Sequence, residues 1–136
     1  MYAEKAITAL LKGSAGVTAL VSTRIHPVEL PAGTALPAVV VKHISTTPRA
    51  TLDAAADYGL VASRIEVSAL ADTYPGLKAL MAQIKAACNY QRGVLGGAVV
   101  ASVVADVIGP DLSNTAAGLF EQSIDFIVTL QEPTQP

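Results

Sequence analysis

The sequence predicts an α+β fold of two layers: a mainly antiparallel sheet of four strands, or slightly more, with helices packed on one face. Three observations lead there. Residues 63–69 alternate, with Ser63, Ile65, Val67 and Ala69 on one side and Arg64, Glu66 and Ser68 on the other. That period of two marks a half-buried strand. Directly after it, Leu77, Leu80, Met81, Ile84 and Cys88 recur at three- and four-residue steps, the stripe of an amphipathic helix. Two further strand-like stretches, 98–108 and 119–130, close the chain.

Taken in order, residues 2–12 read as a first helix, with Ala3, Ala6, Ile7, Leu10 and Leu11 as its buried stripe and Gly13 as its stop. A short second helical turn follows, with Ser14 as its cap and Val17, Leu20 and Val21 apolar. Pro27, Pro31 and Pro37 then rule out a central strand, so residues 24–37 read as an extended crossing along a sheet edge. Residues 38–45 form a strand, with Val39, Val41 and His43 opposite Val40, Lys42 and Ile44. Residues 46–58 show neither period. A loop of that length between two strands points to function, with a plain hairpin tip as the bland alternative.

The strand and helix described above come next. Asp72 or Thr73 caps the helix, and Pro75 fits its first turn, where a missing N–H costs nothing. Residues 91–97 are a glycine-punctuated turn. Residues 98–108 are almost all apolar, which predicts a strand that is central or covered on both faces. Residues 109–118 read as a second long hairpin loop. In the last strand, Phe120, Ile124, Phe126, Val128 and Leu130 point one way, with Gln122 the exception, and Glu121, Ser123, Asp125 and Thr129 the other. Residues 131–136 read as a short, frayed polar tail. The 136 residues are expected to form one domain, with no internal repeat or linker.

Composition narrows the function classes. Charged residues are 15%, well below the usual quarter of a soluble domain, and hydrophobic residues are 51%. A weakly charged, Ala- and Val-rich surface reads either as a sign of subunit contacts or as the mark of a merely Ala-rich source genome. The net charge of −2 supplies no basic footprint for nucleic acid or anionic membrane. The lone Cys88 lies on the helix stripe and reads as a buried structural thiol. No signal peptide or membrane span is expected, because 94–108 is short and interrupted by Gly96, Gly97, Ser102 and Asp106. The reading is an intracellular soluble protein.

The search for chemistry is negative. His26 and His43 have no nearby spacing of zinc ligands. Ser14 lacks the glycine two positions before it that a nucleophile elbow requires. Gly93, Gly96 and Gly97 follow a helix and open a strand, the reverse of a phosphate loop. The expectation is a binding or assembly protein, not an enzyme, with no cofactor and no metal. Asp53 and Asp57 stand out in the 46–58 loop, and Arg64 and Glu66 on the exposed strand face. Those last two read either as a solvated pair worth well under about 1 kcal/mol or as a subunit boundary.

Certain segments together resemble a known family. They are GVTALVSTRIHP ending the helix pair, LPAGTALPAVVVKHIS, the Thr51-Leu52-Asp53 loop, RIEVSALADTYPGLKALMAQIKAA, and the closing FEQSIDFIVTL. Their order is similar to that of the tail-completion family of long-tailed bacteriophages, which includes tail terminators and tail-to-head joining proteins. His26 departs from it, standing where an aromatic is more usual. The resemblance implies a virion structural protein of the tail or neck, assembled in the host cytoplasm. It implies a homo-oligomeric ring, commonly a hexamer, at the head-proximal end of the tail tube. The ring ends tube polymerisation and offers a docking face to the head-closure or connector protein, and DNA passes through its lumen without sequence-specific binding. On that reading, Arg49, Asp53, Asp57, Asp111 and Asn114 are candidates for inter-ring or lumen contacts, and Arg64 and Glu66 for the subunit interface. A head-closure or neck ring is the neighbouring alternative. A small non-viral regulatory α+β binding domain is the alternative from another class.

Overall fold

The computed structural model describes residues 2–48 and 58–133. In chain order the elements are α1 (Tyr2–Lys12), α2 (Ala15–Val21), β1 (Ile25–Pro27), β2 (Ala38–Pro48), β3 (Tyr58–Ala71), α3 (Tyr74–Cys88), β4 (Gly93–Leu95), β5 (Ala98–Ile108), β6 (Leu112–Asn114) and β7 (Leu119–Pro133). The sheet runs β1-β2-β3-β7-β5-β4, with β6 pairing on β7. Only β1 and β2 are parallel. The architecture is therefore mixed α+β, and the three helices cover one face of the sheet.

The expected four strands are the long ones, β2, β3, β5 and β7, but the sheet has seven. Three strands of three residues each were not foreseen, because alternation cannot be recognised over so short a run. β4 lies inside the expected glycine turn, and β6 inside the expected second hairpin loop. β1 lies in the proline-rich crossing and is an edge strand, where the N–H that Pro27 lacks is not needed by the ladder. β2 and β7 also continue three residues past the ends expected for them.

The core forms between the helices and one face of the sheet. Ile65, Val67, Ala69 and Ala71 of β3 and Ile124, Phe126, Val128 and Leu130 of β7 all belong to it. From above they meet Ala3, Ala6, Ile7 and Leu11 of α1 and the predicted α3 stripe, Leu77, Leu80, Met81, Ile84 and Cys88. Of the two candidate caps for α3, Thr73 does the work: its hydroxyl accepts from the Gly76 N–H at 3.1 Å. Ser14 caps α2 in the same way, accepting from Val17 at 3.3 Å. The β4–β5 turn is held close to α1. Gly96 has φ +59°, and a Cβ there would lie 2.6 Å from the Lys5 carbonyl oxygen, so both the conformation and the space require glycine.

β5 departs from expectation. It sits next to the edge strand, and only one of its faces is covered. Ala98, Val100 and Val103 point into the core, while Val99, Val104 and Val107 remain 49%, 41% and 50% exposed. Its apolar residues on both sides do not mean burial on both sides, because every helix lies on the same face.

Leu80→Ala should lower unfolding free energy by about 2–5 kcal/mol, since it empties a fully buried site between α3 and the sheet. Thr73→Ala should lower it by about 1 kcal/mol through loss of the cap alone. Urea denaturation with an unchanged slope would measure both.

Candidate functional site

The helix-free face of the sheet is the broadest functional candidate. Strand alternation places Lys42 of β2, Arg64 and Glu66 of β3, Glu121 and Asp125 of β7, and Val99 and Val104 of β5 on it. Arg64 crosses this face rather than pairing with its neighbour Glu66. Its guanidinium donates to Asp125 at 3.1 Å and, on the far side of β7, to Asp106 at 2.5 Å. These carboxylates raise the guanidinium pKa above its ordinary value. Asp106 reaches Arg64 because the ladder between β5 and β7 shifts register there, between Ala105 and Val107. A bulge of this kind re-aims the extra side chain. One arginine thus ties three neighbouring strands together on the bare face. Glu66 accepts only a long hydrogen bond from Ser68, at 3.4 Å.

Beside this, the chain after β1 turns back over the sheet. Val28 has φ +69°, and the Glu29 N–H donates to the Pro27 carbonyl at 2.8 Å, the geometry of a γ-turn. A positive φ is an outlier for a β-branched residue. The turn roofs a cleft of about 210 Å³ floored by Val40 and Leu70 and flanked by Glu29, Lys42, Glu66 and Glu121.

A second cluster joins α3 to the segment after β5. Lys78 Nζ donates to Asp111 at 2.6 Å and to the Gln122 side-chain oxygen at 2.8 Å. Tyr74 donates its hydroxyl proton to Asp111 at 3.1 Å and meets Phe120 edge-on at 6.2 Å between ring centres. Gln122, the polar exception on the inward face of β7, also donates to the Gly109 carbonyl at 2.9 Å. The hydrogen bond from Lys78 lowers the Asp111 pKa, and the same bond raises that of Lys78.

The residues singled out from sequence therefore lie apart. Asp111 is engaged by α3, and Asn114 is exposed and caps its own turn by accepting from the Ala117 N–H at 3.2 Å. Arg64 and Glu66 share the bare face. Arg49, Asp53 and Asp57 lie outside the described residues. Asp106, Lys78, Tyr74 and Glu29 were not among the candidates the sequence offered; only the outward position of Asp125 was readable from alternation. His43 hydrogen-bonds Thr46 at 2.6 Å, whereas His26 buries its Nε2 without a partner among the described residues. Among those residues no cluster of His, Cys, Asp and Glu is placed to hold a metal, and no helix is long and apolar enough to cross a membrane. Cys88 is fully buried, and burial pushes its thiol pKa up to about 12.

This fold occurs in a virus-like particle. A chain from a structure described as the virion of a native gene transfer agent particle superposes with a TM-score of 0.71 at 16% identity, covering 95% of this chain and 94% of the other. No curated protein sequence matches. The family model described as tail completion protein gp17 matches residues 5–128. That span is most of the chain, and the chain belongs to the tail completion family, a component of the virion tail or neck.

Two measurements check the local chemistry. The Asp111 carboxyl, followed by NMR, should titrate below the ordinary aspartate value of about 3.9, and Lys78→Met should raise it toward that value, the Tyr74 hydrogen bond still holding it down. By linkage, the depressed Asp111 contributes stability above its unfolded pKa and loses it as pH falls through the folded one. Lys78, raised, contributes below its unfolded value of about 10.4 and loses it as pH rises through the folded one. The contact should therefore be intact at neutral pH. Separately, Cys88 should resist thiol reagents at pH 8 in the folded protein and react fully in denaturant.

Proposed function

We propose that the chain is the subunit of a closed ring at the head-proximal end of the tail tube. The ring stops tube polymerisation on one face and presents the other to the head connector. Membership of the tail completion family over residues 5–128 carries this reading. The fold is compatible with it. A ring needs two different, complementary surfaces on each subunit, and an open sheet has two different lateral edges. Here those edges are β1–β2 and β4–β5. Six copies is the number the family resemblance suggests.

On this reading the segments following β2 and β5 reach neighbouring rings, with Arg49, Asp111 and Asn114 as contacts. Asp53 and Asp57 face the bore, where negative charge keeps passing DNA from sticking. Because Arg64 is already engaged by Asp106 and Asp125, Glu66 is the better placed of the two β3 residues to meet a neighbouring subunit.

Removing the gene and imaging particles by negative-stain electron microscopy tests the proposal. Overlong tails detached from filled heads are expected. Tails of normal length that fail to join heads would move the chain to a joining or head-closure ring, and intact infectious particles would overturn the reading. Replacing Asp53 and Asp57 together by Lys should slow DNA ejection; an unchanged rate would remove the bore assignment.

A further inference from the structure

The two lateral edges of the sheet carry opposite, unsatisfied chemistry. On the helix-free face, reaching inward from the β1–β2 edge across β3 to Glu121 of β7, lies the cleft under the Val28 turn. Its floor is apolar, made by Val40 and Leu70, which are 8% and 7% exposed. Glu29, Glu66 and Glu121 line its sides together with Lys42, which stands across the β2–β3 ladder from Glu66, so the lining is acidic by a margin of two charges; none of the three carboxylates forms an ion pair among the described residues. A polar cleft with a small apolar floor and a majority of carboxylates at its rim suits a long cationic side chain, whose methylenes lie on the floor while its charged end meets the rim.

The opposite edge carries such a side chain. After α3, the chain runs along the outer side of β5: the Tyr90 N–H donates to the Val103 carbonyl at 2.7 Å, and the Val103 N–H to the Gln91 carbonyl at 3.0 Å. β4 continues this run by pairing with residues 98–100. The run thus forms the last edge of the sheet, and it is unusually apolar for an edge. Tyr90 is 80% exposed and Val94 73%. Between them Arg92 is exposed and has no hydrogen bond or ion pair among the described residues. Its neighbourhood lacks a carboxylate in sequence from Ala79 to Ala105.

We infer that the β4 edge of one copy docks on the β1–β2 edge of the next, with Arg92 entering the Glu29–Glu66–Glu121 cleft and Tyr90 and Val94 covering apolar surface beside it. This rests on the ring proposed above and identifies the surfaces that close it. The occupant is a second copy because the acidic cleft opens on the β1–β2 side of the sheet and the unpaired Arg92 stands on its β4 side, so the two charges are complementary and lie on opposite sides of one sheet. Head-to-tail repetition therefore satisfies every cleft and every Arg92 in turn, as a closing heterologous interface requires. Arginine suits the role because its planar fork can bridge two carboxylates at once.

The test uses assembled particles that carry a Glu29→Cys/Arg92→Cys double variant, oxidised and run on a non-reducing gel. The native Cys88 is buried and does not interfere. A ladder of cross-linked multimers is expected, absent from either single variant. Particles that contain the chain but give no ladder would overturn the edge pairing and leave the ring standing. Particles that assemble normally without the chain would overturn both. In parallel, Arg92→Glu should reduce incorporation into particles at least about tenfold. Adding Glu121→Arg should restore it, and a circular dichroism melt would confirm that each variant is folded. Wild-type incorporation by Arg92→Glu would also overturn the pairing.

Discussion

Everything in this protein is registered against the ladder between β3 and β7. All 14 residues of β3 find a partner on β7, from Tyr58 with Pro133 to Ala71 with Phe120, without a shift. Because side chains alternate strictly along a strand, that unbroken pairing commits Ile65, Val67, Ile124, Phe126 and Val128 to one face together. A slip of one residue by either strand would turn that strand's inward set outward, bringing Arg64 and Glu66 of β3, or Asp125 of β7, into the core. The ladders on either side tolerate irregularity, with shifts in β2 at His43–Ser45 and in β5 at Val100–Ser102 and Ala105–Val107. The central one does not.

The same ladder separates the protein into a structural face and a working face. α3 starts three residues after β3 ends, capped by Thr73, so it folds back over the side that β3 and β7 have made apolar. Its Lys78 then reaches Asp111 and Gln122 and fastens the chain that leaves β5. Among the described residues no helix lies on the other face. There the sheet is braced by side chains alone, through Arg64 spanning to Asp125 and Asp106, and by the turn at Val28 that roofs the cleft. Val99, Val104 and Val107 of β5 stay exposed on that face, and Glu29 and Glu121 have no ion pair among the described residues.

Much of the fold was legible because long amphipathic elements write their period into the sequence. The α3 stripe, the inward set of β7 with Gln122 as its exception, the cap at Ser14 and the four long strands could be read from spacing. The candidate site was less legible. Asp111 could be named as a polar loop residue, but its capture by Lys78 and Tyr74, 33 and 37 positions away, could not. Arg64 could be placed on the outer face, but not its bond to Asp106, which depends on a bulge that alternation does not announce.

Sequence alone determined which residues face inward along each long element, where the helices begin, and, through its likeness to a family, the kind of particle the chain serves. These are local or pairwise properties, set by side-chain period and by capping chemistry within a few residues. Only the tertiary structure decided the strand order, the three short strands, the bare side of β5 and the placing of the acidic cleft and Arg92 toward opposite edges. The strand order depends on the long-range pairing of β3 with β7 and the bare side of β5 on all helices of the described residues packing to the same side, while the short strands are too brief for any period to show; no spacing within the chain records those choices.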